Sequence, residues 1–425
     1  MKVCSLTHTY PRFTDDINAP FVEHLMEHIE RHGNDVSVLT AYDPSWNRIP
    51  DDHSVDLRTF RYIWPERFHI LGYSRTIEGN VRFKKSVLML SPFFFSAAYL
   101  AFMRLVKEKK PDILHAHWIL PNGFIAGMIS SATGIPLIIQ LHGSDVFTAE
   151  KNALFRSMAR KAASCAHYII SPSPDLTSRL GALGLDTNKI GLVPNAVEAD
   201  FSDNVTAEDI SKLRNTLNIP PDHTVVLAVG RMVYVKGFNY LLKAFQRVAR
   251  EVPNVTLVLA GGGMLFNDMK KYAENLGISE RVVMPGAVMR TMVPVYFKMA
   301  DICVVSSIRH ESGAVDGLPV VVPEAMAACL PIIGFDVGGI PVLVKNGSNG
   351  ILVKERDIDG LADAMITLIH NPSLRKIFGE KSKRIIKNSV NYNYIADYFS
   401  ILYKEIALKR IPPSELPTFR IGYDE

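Results

Sequence analysis

Residues 224–238 read TVVLAVGRMVYVKGF, and this stretch decides the fold. Thr224–Val229 is apolar and rich in β-branched residues without polar alternation, the pattern of a strand covered on both faces. Gly230 ends the run. Arg231 and Lys236 follow, then Gly237, and from Phe238 to Glu251 the apolar positions take helical spacing. Strand, short loop and helix make the first part of a βαβ unit. The loop then lies at the carboxyl end of a parallel strand, beside helix N-terminal amides that attract anions. Gly230 and Gly237 let it bend and approach a ligand closely. Arg231 offers a planar fork suited to phosphate oxygens and Lys236 a point charge, so the pair suits a diphosphate. An ordinary basic loop is the alternative.

The same rhythm runs in both directions. Toward the N-terminus it predicts strands Val3–Thr7, Asp35–Thr40, Asp112–His117, Pro136–Leu141, His167–Ser171 and Ile190–Val193, with a helix over Phe21–Arg31. Toward the C-terminus it predicts strands Val255–Leu259, Ile302–Val305, Pro331–Gly334 and Gly350–Val353, with helices Asn267–Leu276, Pro323–Cys329 and a series over 358–409. Between the halves the rhythm pauses from Pro194 through Pro220-Pro221-Asp222. The expected architecture is α/β: two Rossmann-like doubly wound domains facing each other across a cleft. Residues 1–198 form the first, 199–392 the second, and 393–425 a C-terminal helix crossing back to the first. Ligands in such sheets sit beyond the carboxyl ends of the strands.

Bulk properties agree. A chain of 425 residues exceeds what one core supports, roughly 250–300 residues. A net charge of +4 gives no global argument for nucleic acid, and the basic residues that stand out are local. Cys4, Cys165, Cys303 and Cys329 sit singly in apolar surroundings, which reads as buried free thiols. The N-terminus lacks the apolar core of a signal peptide, so a cytoplasmic location is expected.

One stretch departs from the rhythm. Residues 58–85 carry Arg58, Arg61, Arg67, Arg75, Arg82, Lys84 and Lys85, interleaved with Phe60, Tyr62, Trp64, Phe68, Tyr73 and Phe83. Ser86–Met103 then runs uncharged. By length it could span a membrane, but Pro92 interrupts it and it lies between core strands. Three readings stay open: a buried or groove-lining helix, an interfacial helix, or a span. The basic and aromatic approach makes an anionic membrane surface at 58–103 a candidate partner.

The second chemical element is the run from His310 to Ala327, HESGAVDGLPVVVPEAMA. Asp316 and Glu324 are separated by an uncharged stretch, and Glu324 enters the first turn of a helix. There the helix dipole stabilises a carboxylate, and the carboxylate can accept both hydroxyls of a ribose. Amides near Gly317 and Leu318 can bind sugar or phosphate oxygens. No Asp-x-Asp metal motif occurs in a suitable loop, and Asp15-Asp16 and Asp51-Asp52 read as solvated pairs. His115 and His117 share one face of a strand without a third metal ligand nearby, so they are expected to line the cleft or satisfy backbone groups. His8 and Tyr10 follow the first strand without the glycine-rich loop of a dinucleotide dehydrogenase, and read as part of a loop over an acceptor.

Taken together, GRMVYVKGF at Gly230–Phe238, DGLPVVVPEAMA at Asp316–Ala327, FDVGGIP at Phe335–Pro341, LHAHWILPNG at Leu114–Gly123 and QLHGSDV at Gln140–Val146 resemble glycosyltransferase family 4. These are retaining enzymes of the GT-B fold with an E-x7-E signature, some of which assemble exopolysaccharide or surface glycans. Asp316 stands where the family has the first Glu, and Gly262 and Val342 stand where acids are common. The resemblance implies transfer of a hexose from a nucleotide-sugar to a hydroxyl of a saccharide or lipid-linked saccharide, with no metal and no other cofactor. It implies Arg231 and Lys236 on the donor diphosphate, Glu324 on the ribose, and Gly286 and Val288 at the nucleobase. His142 and Asp316 would lie at the transferred sugar, and His8, Tyr10 and Asp145 on the acceptor side. A sugar-nucleotide epimerase or hydrolase of the same shape is the alternative, and a non-catalytic scaffold a further one.

Overall fold

The computed structural model describes residues 1–16, 18–48, 54–73, 77–78, 82–83, 85–409 and 411–423. Arg75, Lys84, Asp51 and Asp52 lie outside them. The chain forms two compact units. One comprises Met1–Pro194 and Tyr392–Arg420, the other Asn195–Asn391 and Ile421–Glu425. The division after Pro194 comes earlier than the expected boundary at 198. The last residues also differ from expectation, because Gly422 and Tyr423 bond to Ser389 and Val342 of the second unit.

The first unit holds strands β1 (Lys2–Leu6), β2 (Asp35–Ala41), β3 (Asp56–Phe60), a small antiparallel pair β4 (Ile77–Glu78) and β5 (Arg82–Phe83), then β6 (Ile113–His117), β7 (Leu137–Gln140), β8 (Tyr168–Ser171) and β9 (Ile190–Leu192). Seven of them form one sheet in the order β3-β2-β1-β6-β7-β8-β9, and every pairing in it is parallel. The order reverses between β1 and β6, which makes their carboxyl ends the switch point where ligands bind in such sheets. β6, β7 and β8 are buried at every residue, their polar members His115, His117, Gln140 and Ser171 included, as expected for central strands covered on both faces.

Helix Pro20–Arg31 starts with proline in its first turn and buries Val22, Leu25, Met26 and Ile29. Helix Tyr392–Lys404 packs against it, with Tyr392 stacked on His24 and His28 at 5.2 Å each and Ser400 Oγ accepting from Asn34. The apolar run falls in helix Lys85–Lys109. This helix is long and apolar enough to cross a membrane by length and composition. Yet Phe94, Ala98, Phe102, Leu105 and Val106 are in the core of the unit, with Phe94 against Phe60 and Tyr62.

The second unit holds β10 (Thr224–Val229), β11 (Val255–Ala260), β12 (Val282–Gly286), β13 (Ile302–Val305), β14 (Ile332–Phe335) and β15 (Gly350–Val353). They form one parallel sheet in the order β12-β11-β10-β13-β14-β15, reversing between β10 and β13. Helix Phe238–Glu251 buries Phe238, Leu241, Leu242, Phe245 and Val248 on one side, the stripe its sequence predicts. All four cysteines are free; Cys4 and Cys303 are buried, while Cys165 and Cys329 are partly exposed.

Candidate functional site

At the second unit's switch point two loops meet. The loop after β10 carries Arg231, which is exposed, and Lys236, which is half-buried. The loop after β13 carries Ser306, Ser307 and Asp316. Lys236 Nζ donates to Asp316 Oδ2 at 2.9 Å, and Ser307 Oγ donates to the same oxygen at 2.7 Å. Ser306 Oγ donates to the Lys236 carbonyl oxygen at 2.9 Å, tying the loops a second time. The amides of Gly317 and Leu318 have no partner among the described residues, while the Leu318 carbonyl oxygen accepts from Asn195 Nδ2.

Glycines make this closeness possible. Gly237 has φ 61°, and a side chain there would meet the Ser306 carbonyl oxygen at 2.2 Å. Gly338 and Gly339 lie under the Asp316–Leu318 loop, where a Cβ on Gly339 would stand 1.9 Å from the Gly317 carbonyl oxygen. These are the glycines of the FDVGGIP run. Gly286 ends β12 at φ 82° with open space beside it, and Val288 follows, half-buried.

Glu324 sits in the first turn of helix Val321–Ala327, half-buried. Burial pushes its carboxyl up to about 7, while Arg290 and then Lys236 pull it down. Lys236 therefore acts on both acids: by direct contact on Asp316 and through its field on Glu324.

In the first unit, His8 follows β1, His117 ends β6 and His142 follows β7. His117 Nδ1 and His142 Nε2 are 3.1 Å apart. The His142 ring also packs against Trp118 at 4.2 Å and Phe21 at 5.0 Å. His115 and His117 are fully buried, and His115 Nδ1 pairs with Tyr403 Oη at 2.7 Å. The pair thus belongs to the interior and does not line a surface. No group of three His, Cys, Asp or Glu among the described residues could hold a metal ion.

Two acceptor-side expectations change. Asp145 is buried and its carboxylate accepts from the amides of Ile119, His142 and Gly143, so it organises the loops that carry His142 and is not itself presented to a ligand. Tyr10 is fully buried, with its hydroxyl unpartnered among the described residues. His8 remains half-buried, against Trp118 at 4.5 Å. Nor is Asp16 solvated: it is buried and pairs with Arg12 at 2.6 Å, which also reaches Asp43. Burial tends to raise the Asp16 carboxyl, and hydrogen bonds from Arg12 and Asn18 outweigh it, leaving it below the ordinary range.

Residues 19–196 match the family described as Glycosyl transferase 4-like domain, and residues 209–385 match Glycosyl transferases group 1. A GDP-mannose-dependent alpha-(1-6)-phosphatidylinositol monomannoside mannosyltransferase from Mycolicibacterium smegmatis is 31% identical over 271 residues, covering 63% of this chain and 70% of its own. The chain belongs to this glycosyltransferase family. Among solved structures, sucrose-phosphate synthase from Thermosynechococcus elongatus aligns with a TM-score of 0.75 at 21% identity, over 95% of this chain and 98% of that one. The Anabaena protein Alr3699/HepE, in complex with UDP, aligns with a TM-score of 0.72 at 18% identity, over 94% and 98%. The fold is GT-B, and the protein is a nucleotide-sugar-dependent glycosyltransferase.

Several residues of the glycosyltransferase's site escaped the sequence reading. Ser307 and Ser306 follow β13 as an unremarkable Ser-Ser, and their partners lie 9 and 70 residues away. Arg290 is separated from Glu324 by a helix, a strand and the loops that join them. Asn122 lies inside LHAHWILPNG with nothing in its residue type to mark it. The serines stand at the end of β13 beside the end of β10, where the strand order reverses and ligands bind in such sheets.

Proposed function

We propose that this glycosyltransferase moves a hexosyl group with retention of anomeric configuration, without a metal ion, to a hydroxyl of a saccharide or lipid-linked saccharide. The observation that carries the donor half is the cluster of Lys236, Asp316 and Ser307 at the β10/β13 switch point, with Glu324 in the field of the same lysine. In this reading Arg231 and Lys236 take the diphosphate, and Lys236 exchanges its contact with Asp316 for phosphate oxygens. Glu324, ionised, accepts from the ribose hydroxyls. Gly286 and Val288 leave room for the base, and the Gly317 and Leu318 amides donate to the sugar or phosphate. The two cations offset the charge that develops on the leaving diphosphate.

The step proposed is same-face substitution. The bond from the anomeric carbon to the phosphate oxygen breaks, the acceptor oxygen bonds to that carbon, and the acceptor proton passes to the departing phosphate. His142 serves the transferred sugar from the first unit. Asp316, which keeps the hydrogen bond from Ser307 when Lys236 turns to the phosphate, is not a nucleophile in this reading. Trapping a sugar covalently on Asp316 would remove this mechanism.

For the acceptor half, the exposed residues of the first unit support a lipid-linked molecule at an anionic membrane surface. Met89, Phe93 and Leu100 share one face of helix Lys85–Lys109 and are 77%, 57% and 64% exposed. Arg104 and Lys107 extend that face, and exposed Trp64 and Phe68 lie in the segment before it. Apolar side chains with basic neighbours suit headgroup insertion. The Mycolicibacterium relative's acceptor, by name, is likewise a lipid. A cytoplasmic enzyme working at the membrane follows from this reading.

The test is a panel of nucleotide-sugars scored by thermal shift with and without EDTA, followed by NMR of the product's anomeric configuration. One nucleotide class should stabilise the protein in both conditions. Dependence of turnover on a divalent cation, or an inverted product, would each overturn its part of the reading. Vesicle flotation with and without anionic lipid tests the surface; equal flotation on neutral vesicles counts against the basic residues.

A further inference from the structure

β6 lies between β1 and β7, and the residues at its end touch the histidines that follow both neighbours. Asn122 Nδ2 donates to the His117 carbonyl oxygen at 2.7 Å and stands 3.0 Å from His8 Nδ1. A carbonyl oxygen only accepts, so it fixes which way the Asn122 amide faces. Both amide hydrogens are then in use, and His8 Nδ1 is the bare, accepting nitrogen. The His8 proton sits on Nε2.

The other pair resolves in the opposite sense. Of His117 Nδ1 and His142 Nε2, one must donate. His117 Nε2 is buried and has no partner among the described residues. A proton there would be an orphaned buried donor, which folded proteins avoid more strictly than an unused acceptor. His117 therefore carries its proton on Nδ1 and donates to His142 Nε2, leaving the His142 proton on Nδ1. That nitrogen has no partner among the described residues, on a ring that is half-buried. Packing holds the ring in this sense: Trp118 and Phe21 flank it, and Trp118 is itself fixed by donating from Nε1 to Ser144 Oγ at 3.1 Å.

Charge does not blur the distinction. Burial lowers His8 to about 4, and burial followed by the neighbouring imidazoles puts His117 and His142 well below their ordinary value. Each ring is neutral near pH 7 and carries one N–H, so the tautomer decides whether a nitrogen gives or takes a hydrogen bond.

We infer that His117 and Asn122 are positioning residues that preset opposite tautomers on His142 and His8, so that His142 meets the sugar with an Nδ1–H donor. Neither positioning residue reaches the ligand; each acts through the histidine it holds. The catalytic consequence rests on the transferase reading, but the tautomers do not.

The test is nitrogen-15 NMR of histidine-labelled full-length protein at about pH 7, with His142 assigned by loss of its signals in His142→Gln. Wild type should show a protonated Nδ1 and a bare Nε2 at His142, and the reverse at His8. In His117→Phe the His142 signals should become those of a mixture, and kcat should fall about tenfold to a hundredfold with donor KM unchanged. His117→Gln restores an N–H donor and should recover both the signals and most of the turnover. Asn122→Asp, which removes the donor to His8, gives a second route should His117→Phe not fold; it should release His8 from its Nε2–H form. A protonated Nε2 at His142 in wild type overturns the inference. So does a tautomer left unchanged by His117→Phe, or a shifted tautomer with turnover unchanged. If the tautomers behave as expected but no nucleotide-sugar is turned over, the transferase reading fails and the tautomer assignment stands.

Discussion

Glu324 holds a carboxyl whose protonation couples to two different equilibria. Its value rises on folding from an ordinary 4.5 to about 7, chiefly through burial. A group raised in the folded state contributes stability that is complete below its unfolded value and is lost as pH rises through its folded one. Glu324→Gln, which mimics the protonated form, should therefore raise the ligand-free melting temperature above about pH 7, by about 2–4 °C for each kcal/mol in a unit of this size, and leave it unchanged near pH 4. Donor binding should run the other way, because ribose hydroxyls donate to the ionised form. Calorimetric affinity in wild type should weaken as pH falls below about 7, approaching tenfold per unit, and this dependence should vanish in Glu324→Gln. A flat wild-type profile would take Glu324 out of the donor site. Lys236 supplies the second test at this scale. Lys236→Ala should weaken donor binding about tenfold to a hundredfold, the worth of a charge-assisted hydrogen bond. Asp316→Asn frees the lysine, so donor binding should be no weaker than in wild type; a loss as large as that of Lys236→Ala would mean that Asp316 binds the donor directly. The cations and acids were legible in sequence because their types are rare in apolar loops and their spacing is short. Ser307, Arg290 and Asn122 were not, because ordinary polar residues acquire meaning only from partners that the chain brings in from elsewhere.

At the scale of elements, the loops after β10 and β13 are held together by backbone contact that only glycine permits. Gly237→Ala combines a positive φ with a clash against the Ser306 carbonyl, and Gly339→Ala forces apart the Gly317 loop. Both should abolish the thermal shift given by a nucleotide-sugar while the far-ultraviolet circular dichroism of the folded protein is kept. Gly347→Ala serves as the comparison, since its φ of 74° carries strain but nothing crowds its Cβ. Equal loss in all three would point to strain alone and not to close approach. Strands β10, β13 and β15 and helix Phe238–Glu251 lie at the residues their sequence pattern predicts, because the strands are covered on both faces and the helix has one continuous apolar stripe. β3 escaped: Asp56–Phe60 reads DLRTF, an edge strand whose charged residues pair with Glu108 and Lys109 instead of alternating against a core. Periodicity is weakest in a strand whose side chains meet ion-pair partners in place of a core.

For the whole molecule, chain order and structural membership part company at the C-terminus. Residues 392–420 follow the second unit in sequence but belong to the first, where Phe399 and Tyr403 are fully buried and Tyr403 meets His115. The crossing back expected for 393–425 holds for residues 392–420, while Ile421–Glu425 stay with the second unit. The consequence can be separated thermally. Phe399→Ala removes a buried ring from the first unit, at a cost of about 3–5 kcal/mol, and touches nothing near Lys236, Asp316 or Glu324. Scanning calorimetry should show the first unit's transition moving down while a nucleotide-sugar still raises the transition of the second. The affinity for the donor, measured below both transitions, should match wild type. A single transition that falls as one, with donor affinity lost alongside it, would mean that the two units unfold as one cooperative body and that the last helix stabilises both.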